Sequence, residues 1–316
     1  MLAVVAAAAV SITLLLATSG DGPHRRTSDG TTNPTTPPTT TTPPPIRGLA
    51  VTSTQLPLVD TSRPLVEDGE TLAPYRNLPT TVWMPSASGR YPLVVFASGY
   101  DVGPPTYAQF CSYLASSGYV VAAPSFPLED PAQGHTLDRS DIPNEVGDVS
   151  FVIKSLETGS LAHHLEPGRV AVVGHSDGAD VALMIGYEQG MVNPQVSAVV
   201  ADAPDPMTGT IVPSDRPLLL VQGNDDTVVP YQSSQTVFSQ LGSVGVPVWY
   251  ETLLGAGHFG PIAGNTQWTP VLDQDVADFL DATVAGRGPG VAALGAELST
   301  SPTLQQLQTE PAASAG

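Results

Sequence analysis

At 316 residues with 41% hydrophobic side chains, the chain can bury one large core or two small ones. Its 30 acidic against 11 basic residues leave a net charge of −19, which repels nucleic acid and anionic lipid headgroups and suits a soluble, salt-tolerant surface. A single cysteine, Cys111, excludes an intramolecular disulfide; it lies among apolar residues at helical spacing, with no basic residue beside it, and reads as a buried structural thiol.

Residues 1–20 hold an almost unbroken apolar run, residues 2–17, followed by Thr18, Ser19 and Gly20. That is the form of a signal peptide's apolar region. Arg25 and Arg26 after it also allow an uncleaved N-terminal membrane anchor. The protein is thus expected outside the cell, secreted or attached to the outer face of the membrane. Residues 21–45, rich in Thr and Pro, cannot bury apolar surface and are expected to be a disordered, polyproline-like linker.

From 46 to 286 short β-branched runs alternate with helical periodicity, which predicts an α/β domain with a mainly parallel central sheet and helices on both faces. Strands are expected at residues 81–84, 93–97, 119–123, 170–173, 198–201, 218–221 and 246–252. Several are apolar throughout, as strands buried on both faces should be. Crossover helices are expected where Val146, Val149, Val152, Ile153 and Leu156 share one face, and again where Ala179, Ala182, Leu183 and Ile185 do. Residues 287–316, small and polar, are expected to be a disordered tail.

The informative segment is the strand at 170–173 running into Gly174, His175, Ser176, Asp177 and Gly178, with a helix beyond. A G-x-S-x-G between strand and helix describes a nucleophile elbow, where the serine sits in a strained turn and its neighbours two away must be small. Gly174 and Gly178 supply that packing. A serine hydroxyl needs a base to take its proton, and the base needs a carboxylate to orient it. Asp225 and Asp226 lie just past the strand at 218–221, and His258 lies in a glycine-rich loop past the next strand. Of the other histidines, His24 is outside the domain, His135 is in an upstream polar loop, His163 and His164 separate a helix from a strand, and His175 belongs to the elbow. His258 is therefore the expected base and Ser176 the nucleophile.

With these motifs, residues 71–280 resemble the α/β-hydrolase superfamily, nearest to its dienelactone-hydrolase-like and platelet-activating-factor-acetylhydrolase-like serine esterases. The resemblance implies an acid three residues after a glycine and just before Val-Pro, and Gly223, Val229 and Pro230 then select Asp226 over Asp225. It also implies an oxyanion hole made by the backbone amides of Tyr100 and Asp177. The acidic side chain of Asp177 is expected either to cap the helix that starts there or to disfavour anionic substrates, with the cap preferred.

The function expected is hydrolysis of small-molecule or lipid-like carboxylic esters through an acyl-serine intermediate. Only about fifteen residues join the strands at 198–201 and 218–221, which leaves little or no room for a lid. No cofactor is called for, and no metal site, since Asp202, Asp205, Asp225 and Asp226 lack histidine or thiolate partners at ligand spacing. Cutinase-like polyester cleavage is an alternative, weakened because the place where those enzymes carry a tryptophan reads Ala201, Asp202, Ala203 here. A peptidase or amidase on the same fold, and a surface binding domain on a hydrolase scaffold, are the others; a complete triad argues against the last.

Overall fold

Strand β1 (Val51–Asp60) pairs antiparallel along its whole length with β4 (Arg76–Pro85), and the hairpin β2 (Leu65–Glu67) and β3 (Glu70–Ala73) lies in their connection. These come from a computed structural model that describes residues 42–310. The expected signal or anchor segment, the linker up to 41 and residues 311–316 lie outside the described residues. The chain continues through β5 (Tyr91–Ala97), α1 (Ala108–Ser116), β6 (Val120–Pro124), α2 (Ile142–Thr158), β7 (Leu165–His175) and α3 (Asp177–Tyr187). It then forms β8 (Val196–Asp202), β9 (Leu218–Gly223), α4 (Tyr231–Ser243), β10 (Val248–Leu253), α5 (Gly260–Ala263), α6 (Thr269–Leu280), α7 (Leu294–Glu297) and β11 (Gln305–Glu310).

Among the described residues, nine strands make one sheet in the order β1-β4-β6-β5-β7-β8-β9-β10-β11. The six from β6 to β10 run parallel, and antiparallel strands flank them on both sides. Parallel strands need crossover helices, and these cover both faces. Leu93, Val95 and Ala97 of β5 pack toward α2 and α3, while Val94 and Phe96 pack toward α1 and α6, the period-two alternation of a strand buried on both sides. This is the α/β-hydrolase fold that the sequence predicts. Each expected strand falls within or overlaps an observed one, with β6 starting one residue late and β10 starting after Pro247. Cys111 is buried on α1 among apolar side chains, and burial pushes its thiol pKa up.

The expected tail at 287–316 is corrected over its described part. Leu294 and Leu298 are fully buried against the α6 face, and β11 pairs with β10 from Val248↔Glu310 to Leu253↔Gln305. Edge strands are held by main-chain hydrogen bonds and leave one rim to solvent, so a polar stretch such as Gln305, Gln306, Leu307 and Gln308 can form one without an apolar signature. On the connection from β8 to β9, residues 203–217 contain no helix or strand, only an isolated bridge between Ile211 and Glu188.

Candidate active site

The elbow follows β7. Ser176 has φ 57° and ψ −127°, a left-handed backbone that is costly for a residue with a Cβ and is common where strain serves a site. Its amide donates to the Asp202 carbonyl at 2.9 Å, and its own carbonyl accepts from Ala179 and Asp180, so the turn is tied to β8 and to α3. A Cβ on Gly174 would overlap the Gly178 carbonyl oxygen, and one on Gly178 would overlap the Ala97 carbonyl oxygen. Both glycines are therefore required by close backbone approach, as the motif implied. Gly99 belongs to the same group, since a Cβ there would lie 2.9 Å from the Ser176 Cβ.

Asp226 follows β9 and His258 follows β10. Asp226 Oδ2 lies 2.7 Å from His258 Nδ1, and the two side chains are 0% and 4% exposed. The other carboxylate contacts fix its direction: Oδ1 accepts from the Val228 and Val229 amides at 2.8 and 3.0 Å, and Oδ2 accepts from Gln222 Nε2 at 2.9 Å. Gln222 is itself held by Ser234 Oγ at 2.7 Å. Asp225 is exposed and makes no contact with the imidazole. Ser176 and His258 line one cleft of about 230 Å³ with Tyr100, Asp177, Val229 and Phe259.

Two supporting groups escaped the sequence reading. His175 is fully buried; its Nε2 lies 3.0 Å from the His258 carbonyl oxygen and its Nδ1 3.0 Å from the Tyr107 hydroxyl. A carbonyl only accepts, so Nε2 carries the proton and Nδ1 accepts from Tyr107, whose oxygen in turn accepts from the Gly99 amide at 3.2 Å. Burial first, and then His258, push the His175 pKa down to about 3, so the ring is neutral. This relay links the loop after β5, the elbow and the loop of His258. Only the position of His175 inside the elbow hinted at it.

The second group is Arg139, which grips the Asp177 carboxylate with two hydrogen bonds of 2.5 Å and reaches Asp205 at 3.2 Å. Asp177 makes no side-chain cap, so the preferred of its two expected roles is corrected: its carboxylate instead forms a bidentate ion pair with the guanidinium. Buried Arg76, bonded at 2.6 Å to Asp141 and at 2.6 Å to Asp148, pins the segment that carries Arg139. Glu129 is buried beside Asp177. Desolvation, followed by the Asp177 charge, raises its carboxyl pKa to about 10, so it keeps its proton.

The sequence profile of the chlorophyllase family matches residues 59–221, just over half of the chain. The chain belongs to the chlorophyllase family. That family lies within the α/β-hydrolase superfamily expected from the motifs. Chlorophyllase type 0 of Chenopodium album is 29% identical over 147 residues, covering 44% of this chain and 41% of the relative. Chlorophyllase-1 of Arabidopsis thaliana is 26% identical over 161 residues, 49% and 46% of the two chains. Chloroplastic chlorophyllase-1 of Citrus sinensis is 26% identical over 158 residues, 48% and 44%. The match thus spans less than half the length of each of these relatives. The family match includes Tyr100, Arg139, Ser176 and Asp177 and ends before Asp226 and His258.

Proposed function

We propose that the protein is a serine hydrolase of carboxylic esters that works through an acyl-serine intermediate. The observation that carries the reading is the 2.7 Å contact between Asp226 Oδ2 and His258 Nδ1 in a cleft shared with Ser176 at a strained elbow. With Nδ1 committed to the carboxylate, Nε2 of His258 is the nitrogen left to take the Ser176 proton as Oγ attacks the ester carbonyl. The carbonyl oxygen becomes an oxyanion, received by two backbone amides. The Asp177 amide opens α3 and has no acceptor within its own helix. On the loop after β5 the Gly99 amide is taken by Tyr107, which leaves the amide of Tyr100 as the second donor. Collapse breaks the bond to the alcohol oxygen, which leaves with the proton from His258, and water reverses the sequence to release the acid.

The dienelactone-hydrolase-like and platelet-activating-factor-acetylhydrolase-like resemblance supports the same chemistry through the elbow and the spacing around Asp226. A second reading, an ester of chlorophyll, is favoured by the names of the relatives. Small-molecule or lipid-like esters are the partners proposed. Export, with or without a retained anchor, rests on the apolar run at 2–17. Among the described residues no helix is long and apolar enough to cross a membrane.

The test is a panel of p-nitrophenyl esters and chlorophyll, run beside labelling with a fluorophosphonate. Ester turnover and labelling, both abolished in Ser176→Ala with the fold intact, support the reading. Labelling that persists in Ser176→Ala sinks it, and turnover of chlorophyll alone selects the second reading.

A further inference from the structure

A groove of about 320 Å³ opens beside the cleft, between the start of α2, one side of α3 and the loop after β8. Its walls are Ile142, Pro143, Leu183, Met184, Pro206 and Met207. An apolar concavity on a strongly acidic surface calls for an occupant. Arg139 and Asp205 line this groove and also the cleft of Ser176 and His258, so their ion pair is the partition between the two spaces. With side chains 50% and 43% exposed, that pair is weakly held and a substrate can lie across it.

On the serine-esterase reading, an ester has two limbs that must part. The alcohol limb needs a proton from His258 and has to stay within reach of that imidazole. The acyl limb remains on Ser176. None of the groove's lining residues comes from the loops after β9 and β10 that carry Asp226 and His258, whereas Asp180, Leu183 and Met184 belong to the helix that opens one residue after Ser176. We propose that this groove is the acyl site, and that it takes a neutral aliphatic chain of medium length. Two methionines in its wall can adapt to a flexible chain. The rim carries Asp180, Glu188 and Asp205 against Arg139 alone, which disfavours an anionic chain end.

The experiment varies the two limbs separately: p-nitrophenyl esters from acetate to decanoate, and acetate esters from methyl to decyl. Wild-type kcat/KM should rise along the acyl series by up to about fourfold per methylene until the groove is full. Met184→Trp should cut octanoate turnover at least tenfold, leave acetate turnover within about twofold, and leave the alcohol series unchanged. Thr208→Trp, at an exposed rim position, gives the same block without touching packed side chains. Loss along the alcohol series instead, or an acyl series unmoved in both variants, overturns the assignment. Binding of octanamide to Ser176→Ala, at least tenfold weaker when Met184→Trp is added, reads the groove without turnover. Octanamide binding with no ester turnover would therefore condemn the esterase reading and keep the groove, and turnover without such binding would do the reverse.

Discussion

The ring of His175 donates from Nε2 to the carbonyl oxygen of His258 at 3.0 Å, so the residue before the proposed nucleophile holds the loop of the proposed base. His175→Phe leaves that carbonyl and the Tyr107 hydroxyl without their partner in a buried place, and each orphan costs about 1–3 kcal/mol. Tyr107→Phe removes the other end of the relay and keeps the ring packing. It should lower kcat more than stability, because Gly99 and the elbow lose their common anchor. Thermal melts and ester kinetics on the two variants separate these outcomes; an unaltered kcat in Tyr107→Phe removes the relay from the mechanism.

The same histidine gives stability a pH dependence. Its folded pKa of about 3 lies below the ordinary 6.5, so the unfolded chain binds the proton first as pH falls. Stability from this group is complete above about 6.5 and is lost progressively down to about 3, by about 5 kcal/mol at most. His175→Phe should flatten this part of the urea midpoint against pH. A slope unchanged in the variant would assign the acid limb to other groups.

Glu129 acts with the opposite sign. Its folded pKa, raised to about 10, means that the native state holds a proton the unfolded chain releases near 4.5, so stability falls as pH rises between those values. Glu129→Gln keeps a neutral side chain of nearly the same size without the titration. At pH 8 the variant should melt at least about 3 °C higher than the wild type, and at pH 4 at nearly the same temperature. Equal melting temperatures at pH 8 would mean that Glu129 is ionised in the fold.

Arg139 is a positioning residue for Asp177. A lysine there keeps the charge but cannot hold both carboxylate oxygens, so Arg139→Lys should let the first turn of α3 shift. Loss of kcat by about ten- to a hundredfold, with KM for a short ester within about twofold, is the expected split. A change in KM alone would make Arg139 a binding residue.

The choice between neighbouring acids is equally open to test. Asp226→Asn should cost up to about 10⁴-fold in kcat by analogy with other triads, and Asp225→Asn should cost little. Equal losses would refute the pairing of Asp226 with His258.

The parts of the molecule that were legible in sequence are those whose causes are local. Gly174 and Gly178 are needed by contacts within a single strand-turn-helix, so the elbow writes itself into five consecutive positions. Buried parallel strands leave apolar runs that composition alone reveals. Asp226 needed the resemblance to separate it from Asp225, because both sit in the same loop. Arg139 could not be found this way: it meets Asp177 across 38 residues of sequence, and only the packing of α2 against α3 brings them together. Tyr107 and His175 are 68 residues apart and leave no common pattern. The strand β1 was missed because its outward half is polar and its pairing with β4 supplies the order.

The terminal strand β11 has a consequence for handling the protein. It occupies the outer row of amides and carbonyls on β10, the strand that leads to His258. A chain shortened to Gly286 would expose that row together with the apolar seats of Leu294 and Leu298, a ready template for a strand from another molecule. Such a protein should self-associate through the strand next to its own chemistry, and its loss of activity would deepen with concentration. The glutamine-rich end that looks dispensable is in this sense a seal, and tags or fusions belong beyond it.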